Sequence, residues 1–484
     1  MKKQFLVDPT TGTNAREVRW GDFLKVTGES GKFVVVTWGA KTYHFPKAQA
    51  VETRPLEIVF LDVGQGDGCL VVSPEAGPDE RIIIVDAGQA DNMKRFLDWR
   101  FGKISKKEMR FHAAVITHPD RDHYGGFSQV FGVKRFSFNN VFHNGIVERK
   151  GTGDFGTVTD DGYLVDIVDT DAKARALVSN TVERGSYLNV LAKAITQYGG
   201  VQFGMLSSEH GIDSNGRRYV PGFAPDDSGE VKIEVIGPVV ERHGVKPALR
   251  AFAGEIGGET MDPGKTKNGH SVLLRLTLGD FSLFFGGDLN SPAEDFLLRH
   301  YGGLGETAKL ADGVARARER LQSLIMKSCH HGSDDVTDEF LRSVNPAAFV
   351  VSSGDRESHM HPRPELIGRL GKNARGVAPA ILCTELQRSG LIQDNAKLVD
   401  TVRAYRRKLD QAPDQATRDA IEVKIEQALA KLSKRTVEVY GAITVRTDGH
   451  HLEISTMYES GSPKKKWFTM RYELGGRGGI QRSD

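Results

Sequence analysis

The sequence predicts an α/β fold for residues 56–384, because apolar strands alternate there with helical stretches. Two of these strands, 56–63 and 81–85, each end in a polar loop that contains glycine. A third strand, 113–116, ends in the run 117–126, which is rich in histidine and aspartate. Strands that end in polar loops are typical of α/β folds, which place reactive side chains at strand ends.

The composition is that of an ordinary water-soluble protein. The 484 residues carry a formal net charge of +2, so the chain as a whole is not built to attract a highly charged partner. No window approaches eighteen uninterrupted apolar residues, and the N-terminus has no apolar signal segment, so we expect neither a membrane span nor secretion. The three cysteines show no CxxC spacing. We therefore expect a cytoplasmic protein that makes no membrane contact.

Residues 1–53 are predicted to form a separate small β-barrel of SH3-like size. Three short strands, at 21–26, 32–38 and 41–45, are separated by turns that contain glycine. Barrels of this size bind protein partners or nucleic acid, but they also serve as packing modules. The sequence leaves both roles open.

Two insertions and a tail are predicted in the main domain, which we place at 54–456. Residues 145–230 are rich in Gly, Asp and Ser and indicate an insertion with loops. Residues 386–436 have apolar positions at helical spacing on both sides of a Pro-Asp break and predict a helical hairpin. Its apolar stripe would pack on the body or on a second subunit. Residues 457–484 are predicted to be a basic tail, which either touches phosphates or is solvated surface.

The run 117–126 is the clearest chemical signal in the chain. It places His118, Asp120, Asp122 and His123 within six residues, directly after an apolar strand. A strand that ends in such a loop can direct several side chains to one point. Imidazole and carboxylate ligands together suit borderline divalent ions such as Zn²⁺ or Mn²⁺.

Four later segments repeat this pattern of a strand beside a metal-binding residue type. His270 precedes a strand, and Asp288 follows one. The pair His330 and His331 follows another strand, and His361 follows the last of the four. Each lies near glycine or serine, in the polar loops where α/β folds place their sites.

The order LDVGQGD, IIIVDAG, THPDRDHYGG, NGHS, FFGGDL, CHHGS and HMHP resembles the metallo-β-lactamase fold. More narrowly, it resembles the soluble hydrolase domain of the ComEC-type DNA-uptake proteins and its free-standing relatives. The similarity spans residues 56–456 and leaves out the N-terminal unit and the membrane channel of those proteins. It implies a four-layer αβ/βα sandwich with two divalent metal ions, Zn²⁺ or Mn²⁺, at one edge.

The resemblance also implies roles for individual residues. It puts His118 and Asp120 on the first ion, and Asp122 and His123 on the second.

For the remaining positions, the resemblance implies that Asp288 bridges the two ions. His270 would complete the first site and His330 the second, while Asp86 would orient ligands or water. Of the adjacent histidines, the sequence leaves open whether His330 or His331 is the ligand.

Asp120 stands where most members of the superfamily have histidine. A carboxylate there shifts the preference of the site from Zn²⁺ toward Mn²⁺. The position of His270 is often not histidine in the close relatives, so this side chain is alternatively a substrate-binding group.

Four residues have predicted roles around the reacting phosphate. Asp122 would hold the nucleophilic hydroxide that a two-metal centre generates. His361 would donate a proton to the leaving oxygen or bind the phosphate, or else simply cap a helix. Ser333, with His331, is a candidate for contact with a phosphoryl oxygen.

We therefore predict a metal-dependent phosphodiesterase, and specifically a nuclease acting on DNA rather than RNA. One alternative is a hydrolase of a smaller ester, such as a cyclic nucleotide, a phosphocholine-type ester or a lactone. Another is a binding protein with a structural metal site. The N-terminal barrel and the helical hairpin suggest a protein partner, a homo-oligomer, or a place in a bacterial defence or DNA-processing complex.

Overall fold

The computed structural model describes residues 3–102, 108–150, 154–253, 261–354, 359–376, 378–387, 396–433, 437–475 and 479–483. The strands of these ranges are, in chain order, β1 (Gln4–Val7), β2 (Asn14–Val18), β3 (Lys25–Ser30), β4 (Phe33–Trp38), β5 (Lys41–Pro46), β6 (Leu56–Phe60), β7 (Gly68–Val72), β8 (Ile82–Ala87), β9 (Met109–Ile116), β10 (Phe136–His143), β11 (Tyr163–Leu164), β12 (Gln202–Met205), β13 (Ile212–Ser214), β14 (Arg217–Tyr219), β15 (Lys232–Gly237), β16 (Glu241–His243), β17 (Lys246–Arg250), β18 (Leu273–Leu278), β19 (Phe281–Phe285), β20 (Ile325–Lys327), β21 (Ala348–Val351), β22 (Ala380–Cys383), β23 (Ile443–Thr447), β24 (His451–Ser462), β25 (Lys465–Gly475) and β26 (Gly479–Arg482).

The helices of the same ranges are α1 (Asn92–Phe101), α2 (Arg121–Tyr124), α3 (Phe127–Val130), α4 (Asp171–Ser179), α5 (Ser186–Tyr198), α6 (Pro263–Gly269), α7 (Ser291–Gly302), α8 (Val314–Leu321), α9 (Asp338–Val344), α10 (Pro364–Asn373), α11 (Thr384–Gln387), α12 (Ala396–Asp410), α13 (Gln415–Ser433) and α14 (Val437–Tyr440). In the described part of the chain, no helix is both long enough and apolar enough to cross a membrane.

Two large sheets face each other. Among the described strands, the first sheet has the order β12-β10-β9-β8-β7-β6-β23-β24-β25-β26, and the second has the order β13-β14-β15-β18-β19-β20-β21-β22. The alternation in β8 shows how the layers form. Ile82 and Ile84 pack against helices on the outer face, while Ile83 and Val85 pack against the second sheet. A strand buried on both faces is expected to be largely apolar, and β8 is apolar up to Val85, directly before Asp86.

Helices cover the outer face of each sheet. Helices α1, α3 and α5 pack on the first sheet, and α7, α8, α9 and α10 pack on the second. The order of the layers is therefore helix, sheet, sheet, helix, which confirms the predicted four-layer αβ/βα sandwich. One apolar core lies between the two sheets. Two further cores lie between each sheet and the helices that cover it.

The N-terminal unit is an antiparallel sheet with the strand order β2-β1-β5-β4-β3. It has its own small core of Leu6, Val18, Val34, Val36 and Phe45. The described ladders include no pairing of β2 with β3, so closure into the predicted barrel stays a prediction. Strands β1 and β2 precede the three strands that the sequence pattern indicated.

The insertion 145–230 contains helices and strands as well as loops, and one helix covers the helical stretch that the sequence indicated at 187–195. Helix α5 buries Tyr187, Leu188 and Leu191 in the outer core of the first sheet, and β12 joins the edge of that sheet. Residues of α5 at helical spacing face the sheet, so the helix forms part of the outer layer rather than a loop.

The segment 457–484 was expected to be a tail, but the structure has strands there. The end of β24, together with β25 and β26, extends the first sheet. The physical reason is the alternation of Met470, Tyr472 and Leu474, which face the second sheet. The turn at 463–464 therefore joins two paired strands, and Lys465 and Lys466 belong to β25.

The helical hairpin has two helices, α12 and α13, that pack on each other through Val402, Ile425 and Ala428. The rest of the predicted hairpin segment, 388–395 and 434–436, lies outside the described residues. After it, β23 returns to the first sheet beside β6.

A buried ionic network joins the N-terminal sheet to the main body. Arg446 is 2% exposed and its Nε donates to Glu57 Oε2 at 2.7 Å. The same guanidinium donates to Asp22 at 2.9 Å, and Arg100 donates to the other Glu57 oxygen at 3.0 Å. Arg19 also stacks on the ring of Trp467, 3.5 Å from its centroid. The two parts are held by charged groups that lie away from water.

Candidate metal centre

Four strand ends bring functional side chains to one edge of the sandwich. In the first sheet, β8 and β9 are parallel neighbours, and Asp86 and the run 117–123 lie at their carboxyl ends. In the second sheet, β19 and β20 are also parallel, and Asp288 and His331 follow them. Since the carboxyl ends of parallel strands lie on the same side of a sheet, the two facing sheets bring all four loops together.

The Asp288 carboxylate is at the centre of the resulting cluster. Its Oδ2 lies 3.2 Å from His123 Nε2 and 3.1 Å from His331 Nε2, and these two nitrogens are 3.2 Å apart. Asp122 Oδ2 lies 3.4 Å from His331 Nε2. Ligand atoms of Asp67, His123, Asp288 and His331, all buried, lie within 4.8 Å of one another. This spacing suits a metal ion better than a set of ordinary hydrogen bonds.

A buried carboxylate fixes the orientation of His123. Its Nδ1 lies 2.8 Å from Asp86 Oδ2, and Asp86 in turn accepts hydrogen bonds from the backbone N–H (2.8 Å) and the hydroxyl (2.6 Å) of Thr117. With Nδ1 bonded in this way, Nε2 faces Asp288. Such a carboxylate–imidazole pair is the usual support of a metal-binding histidine.

His331 has a parallel arrangement that sequence reasoning missed. Its Nδ1 lies 3.2 Å from Asp67 Oδ1, off the line of a hydrogen bond, and Asp67 is paired with the buried ammonium of Lys327. Two signals were available in the sequence. Asp67 closes the Gly-Gln-Gly-Asp loop after β6, and Lys327 is a charged residue inside an otherwise apolar strand.

Two buried atoms of the cluster fit an added cation. His118 Nε2 and Asp288 Oδ1 have no hydrogen-bond partner within the described ranges. A buried polar atom of this kind is costly unless something satisfies it. A divalent ion beside Asp288 would satisfy both atoms, so the residues at this point fit the metal that the fold implies.

Without a metal, protons balance the charge of the cluster. Burial lowers the pKa of His123 and of His331, but the neighbouring Asp288 carboxylate outweighs burial and raises both pKa values well above the ordinary one. Burial likewise raises the pKa of Asp288, but the imidazoles around it lower that pKa well below its usual range. Binding of an ion therefore replaces protons held between these groups.

On the side of the cluster predicted for the first ion, a lysine pairs with one of the expected ligands. His118 Nε2 lies 3.6 Å from Asp120 Oδ2 and 3.9 Å from Asp288 Oδ2. The other Asp120 oxygen is bonded to the ammonium of Lys267. Burial raises the pKa of Asp120, but His118 and Lys267 outweigh it and lower that pKa to about 2.

His270 is not brought to the cluster. Its Nε2 lies 2.6 Å from the carbonyl oxygen of Arg250, and its ring stacks on Phe252 with centroids 4.7 Å apart. The residue that reaches the site from this segment is Ser271. Its hydroxyl accepts the Asp288 N–H at 3.0 Å and lies 3.3 Å from His118 Nδ1. Because His270 caps the end of α6, its side chain turns into the core beside that helix instead.

The adjacent histidines occupy different places. His331 Nε2 is inside the cluster, whereas His330 Nε2 is 3.9 Å from Asp288 Oδ2 and 3.5 Å from Asn268 Nδ2, at the rim. Both residues have left-handed backbones, with φ of 47° and 53°, and Gly332 follows with φ of 90°. Non-glycine residues held in this conformation cost about 1–3 kcal/mol each, a strain found mostly at functional sites.

A polar cleft of about 340 Å³ opens above the cluster. Its rim includes Gln65, Arg121, His359 and His361. The ring of His361 lies 5.9 Å from that of His330, and burial, with the neighbouring imidazoles, lowers its pKa to about 4. Ser333 does not line this cleft in the described chain, and its hydroxyl accepts the N–H of Asp335 at 3.2 Å.

Gly66 is expected to be indispensable for the position of Asp122. Its φ is +110°, and a Cβ added there would lie 1.8 Å from the Asp122 carbonyl oxygen. Gly66→Ala should therefore displace the metal-binding loop and weaken metal binding, measured by titration with Mn²⁺. Gly64→Ala is the matched control, because Gly64 also has a positive φ but nothing lies within 4 Å of its added Cβ. Equal metal affinity in the two variants would contradict the expectation.

The four layers and the buried His–Asp cluster at their shared edge match the architecture that the resemblance to the metallo-β-lactamase fold implies, and the cluster is a candidate metal centre. No protein-family model matches the sequence. The Competence protein ComA of Neisseria gonorrhoeae is 32% identical over 127 residues, which are 26% of this chain and 15% of the length of that relative.

Among solved structures, a metallo β-lactamase from Erythrobacter litoralis with β-mercaptoethanol in its active site aligns with 60% of this chain and 84% of its own. The identity is 13% and the TM-score is 0.22.

Proposed function

We propose that the chain is a metal-dependent phosphodiesterase, and specifically a nuclease that cleaves DNA. The observation that carries the proposal is the convergence of His123 and His331 on Asp288, with Asp122 beside His331, beneath an open polar cleft. A divalent ion bound there would lower the pKa of a bound water and polarise a phosphoryl oxygen. The resemblance to the ComEC-type DNA-uptake proteins supports DNA as the substrate.

Residues around the cluster can position the attacking water and the phosphate. Asp122 is placed to hold the attacking water, because it lines the cleft and its carboxylate is oriented by Gln65 Nε2, which donates to Oδ2 at 3.4 Å. His361, on the facing rim, is placed to hold the phosphate or to protonate the leaving oxygen. A bound ion would be held by residues from the set His118, Asp122, His123, Asp288 and His331, with Asp86 and Asp67 orienting the imidazoles.

The shape of the cleft favours a polymer over a small ester. A small-ester hydrolase would be favoured by an enclosed pocket formed by the insertion 145–230. None of the residues that line the cleft in the described chain comes from that insertion. An open polar groove accommodates an extended phosphodiester backbone, which must pass in and out of the site.

The proposal is tested by incubating the full chain with supercoiled plasmid and with linear single-stranded DNA, in Mn²⁺, Zn²⁺, Mg²⁺ or chelator. We expect metal-dependent cleavage that disappears in the Asp122→Ala/His123→Ala double variant. Asp280→Ala, at the opposite end of the β18–β19 hairpin, is the matched control. No cleavage of either DNA with any of the metals would favour the small-ester hydrolase, and tightly bound metal without any hydrolysis would favour a structural metal site.

Action in the cytoplasm and control by a partner are further parts of this proposal. The three cysteines, Cys69, Cys329 and Cys383, are buried free thiols, as suits a reducing compartment. A protein partner would act through the N-terminal sheet or the helical hairpin, in a defence or DNA-processing complex or a homo-oligomer. Rapid cleavage of DNA by the purified chain alone would remove the need for a partner.

A further inference from the structure

A buried lysine occupies the side of the cluster that the resemblance assigns to the first metal ion. Lys267 is 8% exposed, and its ammonium is bonded to Asp120 Oδ1 and lies 3.4 Å from Glu148 Oε1. A buried ammonium is tolerated when carboxylates compensate for its lost hydration, and here two of them do. Asp120 is therefore already neutralised by a cation that belongs to the chain itself.

The remaining ligands expected for the first ion are incomplete or belong elsewhere. His270 is held on the Arg250 carbonyl. The close His–Asp set of Asp67, His123, Asp288 and His331 does not include Asp120. His118 Nε2, which has no hydrogen-bond partner among the described residues, is 3.9 Å from Asp288 Oδ2, so the ion at Asp288 is within its reach. The geometry thus fits one ion well and a second ion poorly.

We propose that the Lys267 ammonium takes the place of the first metal ion, so that the chain holds a single divalent ion at Asp288. This inference rests on the proposed metal-dependent function and specifies the composition of its centre. The fixed ammonium lies where the first ion would contact Asp120, and its charge is balanced there by the carboxylates of Asp120 and Glu148.

The test measures the number of metal ions bound per chain and not the rate of hydrolysis. The metal-free chain is dialysed to equilibrium against Mn²⁺ and, separately, against Zn²⁺, and bound metal is measured by plasma mass spectrometry. We expect about one ion per chain in the wild type. We also expect about two in Lys267→Ala, where Asp120 becomes free to join His118. Asp120→Ala should leave the count at one, because Asp120 is not a ligand.

Lys265→Ala is the matched control, since Lys265 lies on the same helix but pairs with Asp335. Lys267→Met, which keeps the length of the side chain, guards against misfolding of the alanine variant, and thermal unfolding checks both.

Two ions in the wild type, falling to one in Asp120→Ala, would overturn the inference while leaving the nuclease proposal intact. One ion in the wild type and in both folded Lys267 variants would also overturn it, because the lysine would then not occupy the second position. Loss of DNA cleavage does not enter this test, so failure of the proposed function is recognised separately.

Discussion

Asp288→Asn is expected to lower the affinity for Mn²⁺ by more than about 100-fold and to abolish hydrolysis. The reason is that its Oδ2 faces His123 Nε2 at 3.2 Å and His331 Nε2 at 3.1 Å, so the charge shared by the cluster is lost at its centre. Loss of a group that only supports a ligand already costs about 10–100-fold in metal affinity. Isothermal titration with Mn²⁺ measures the change directly.

A thermal measurement gives an independent readout for the same variant. A ligand at 100 times its Kd stabilises the folded state by about 2.7 kcal/mol. Mn²⁺ should therefore raise the melting temperature of the wild type and of the control Asp280→Asn, but not that of Asp288→Asn. Circular dichroism shows whether the variant is folded. A folded Asp288→Asn that retains wild-type metal affinity would refute the central role of this carboxylate.

The layered fold could be predicted from the sequence because its signals are local. Each of β6, β8 and β9 is a short apolar run followed by glycine and polar residues. Such a run can be recognised in the sequence without knowledge of the neighbouring strands. The extension of the first sheet by β25 and β26 was missed, although Met470, Tyr472 and Leu474 alternate as strand residues do. The neighbouring lysines and glycines indicated a basic tail instead of strands.

The contents of the site were less predictable, because they depend on side-chain direction. His270 and Ser271 are adjacent, yet the serine hydroxyl contacts the Asp288 backbone while the imidazole turns to Arg250. Which of the two enters the site depends on where α6 ends, and helix ends are poorly fixed by sequence patterns. The same is true of His330 and His331, whose left-handed backbones reverse the usual directions of neighbouring side chains.

Groups that support the site through long-range pairing could not be predicted from spacing. Asp67 and Lys327 lie 260 residues apart and meet only because β6 and β20 belong to facing sheets. Lys267 and Asp120 likewise come from different sheet edges. Each such pair is a buried charge whose partner becomes visible only in three dimensions.

Glu57→Gln is expected to destabilise the fold by about 3–5 kcal/mol, the usual cost of leaving a buried partner charge uncompensated. Glu57 accepts from Arg446 at 2.7 Å and from Arg100 at 3.0 Å, and Arg446 is only 2% exposed. Chemical denaturation measures the change in the free energy of unfolding. Glu29→Gln is the matched control, because the Glu29–Lys47 pair is exposed to water and such pairs contribute about 0–1 kcal/mol.

The effect of Glu57 should also depend on pH. Burial raises the pKa of Glu57, but Arg100 and Arg446 outweigh it and hold that pKa well below its ordinary value of 4.5. The unfolded chain therefore takes up the proton first, and stability falls as pH decreases below about 4.5. The difference in unfolding free energy between the wild type and Glu57→Gln should have its maximum size near pH 6 and decrease steadily below pH 4.5. A difference that stays constant down to pH 3 would mean that the Glu57 charge does not stabilise the fold through its pairs with Arg446 and Arg100.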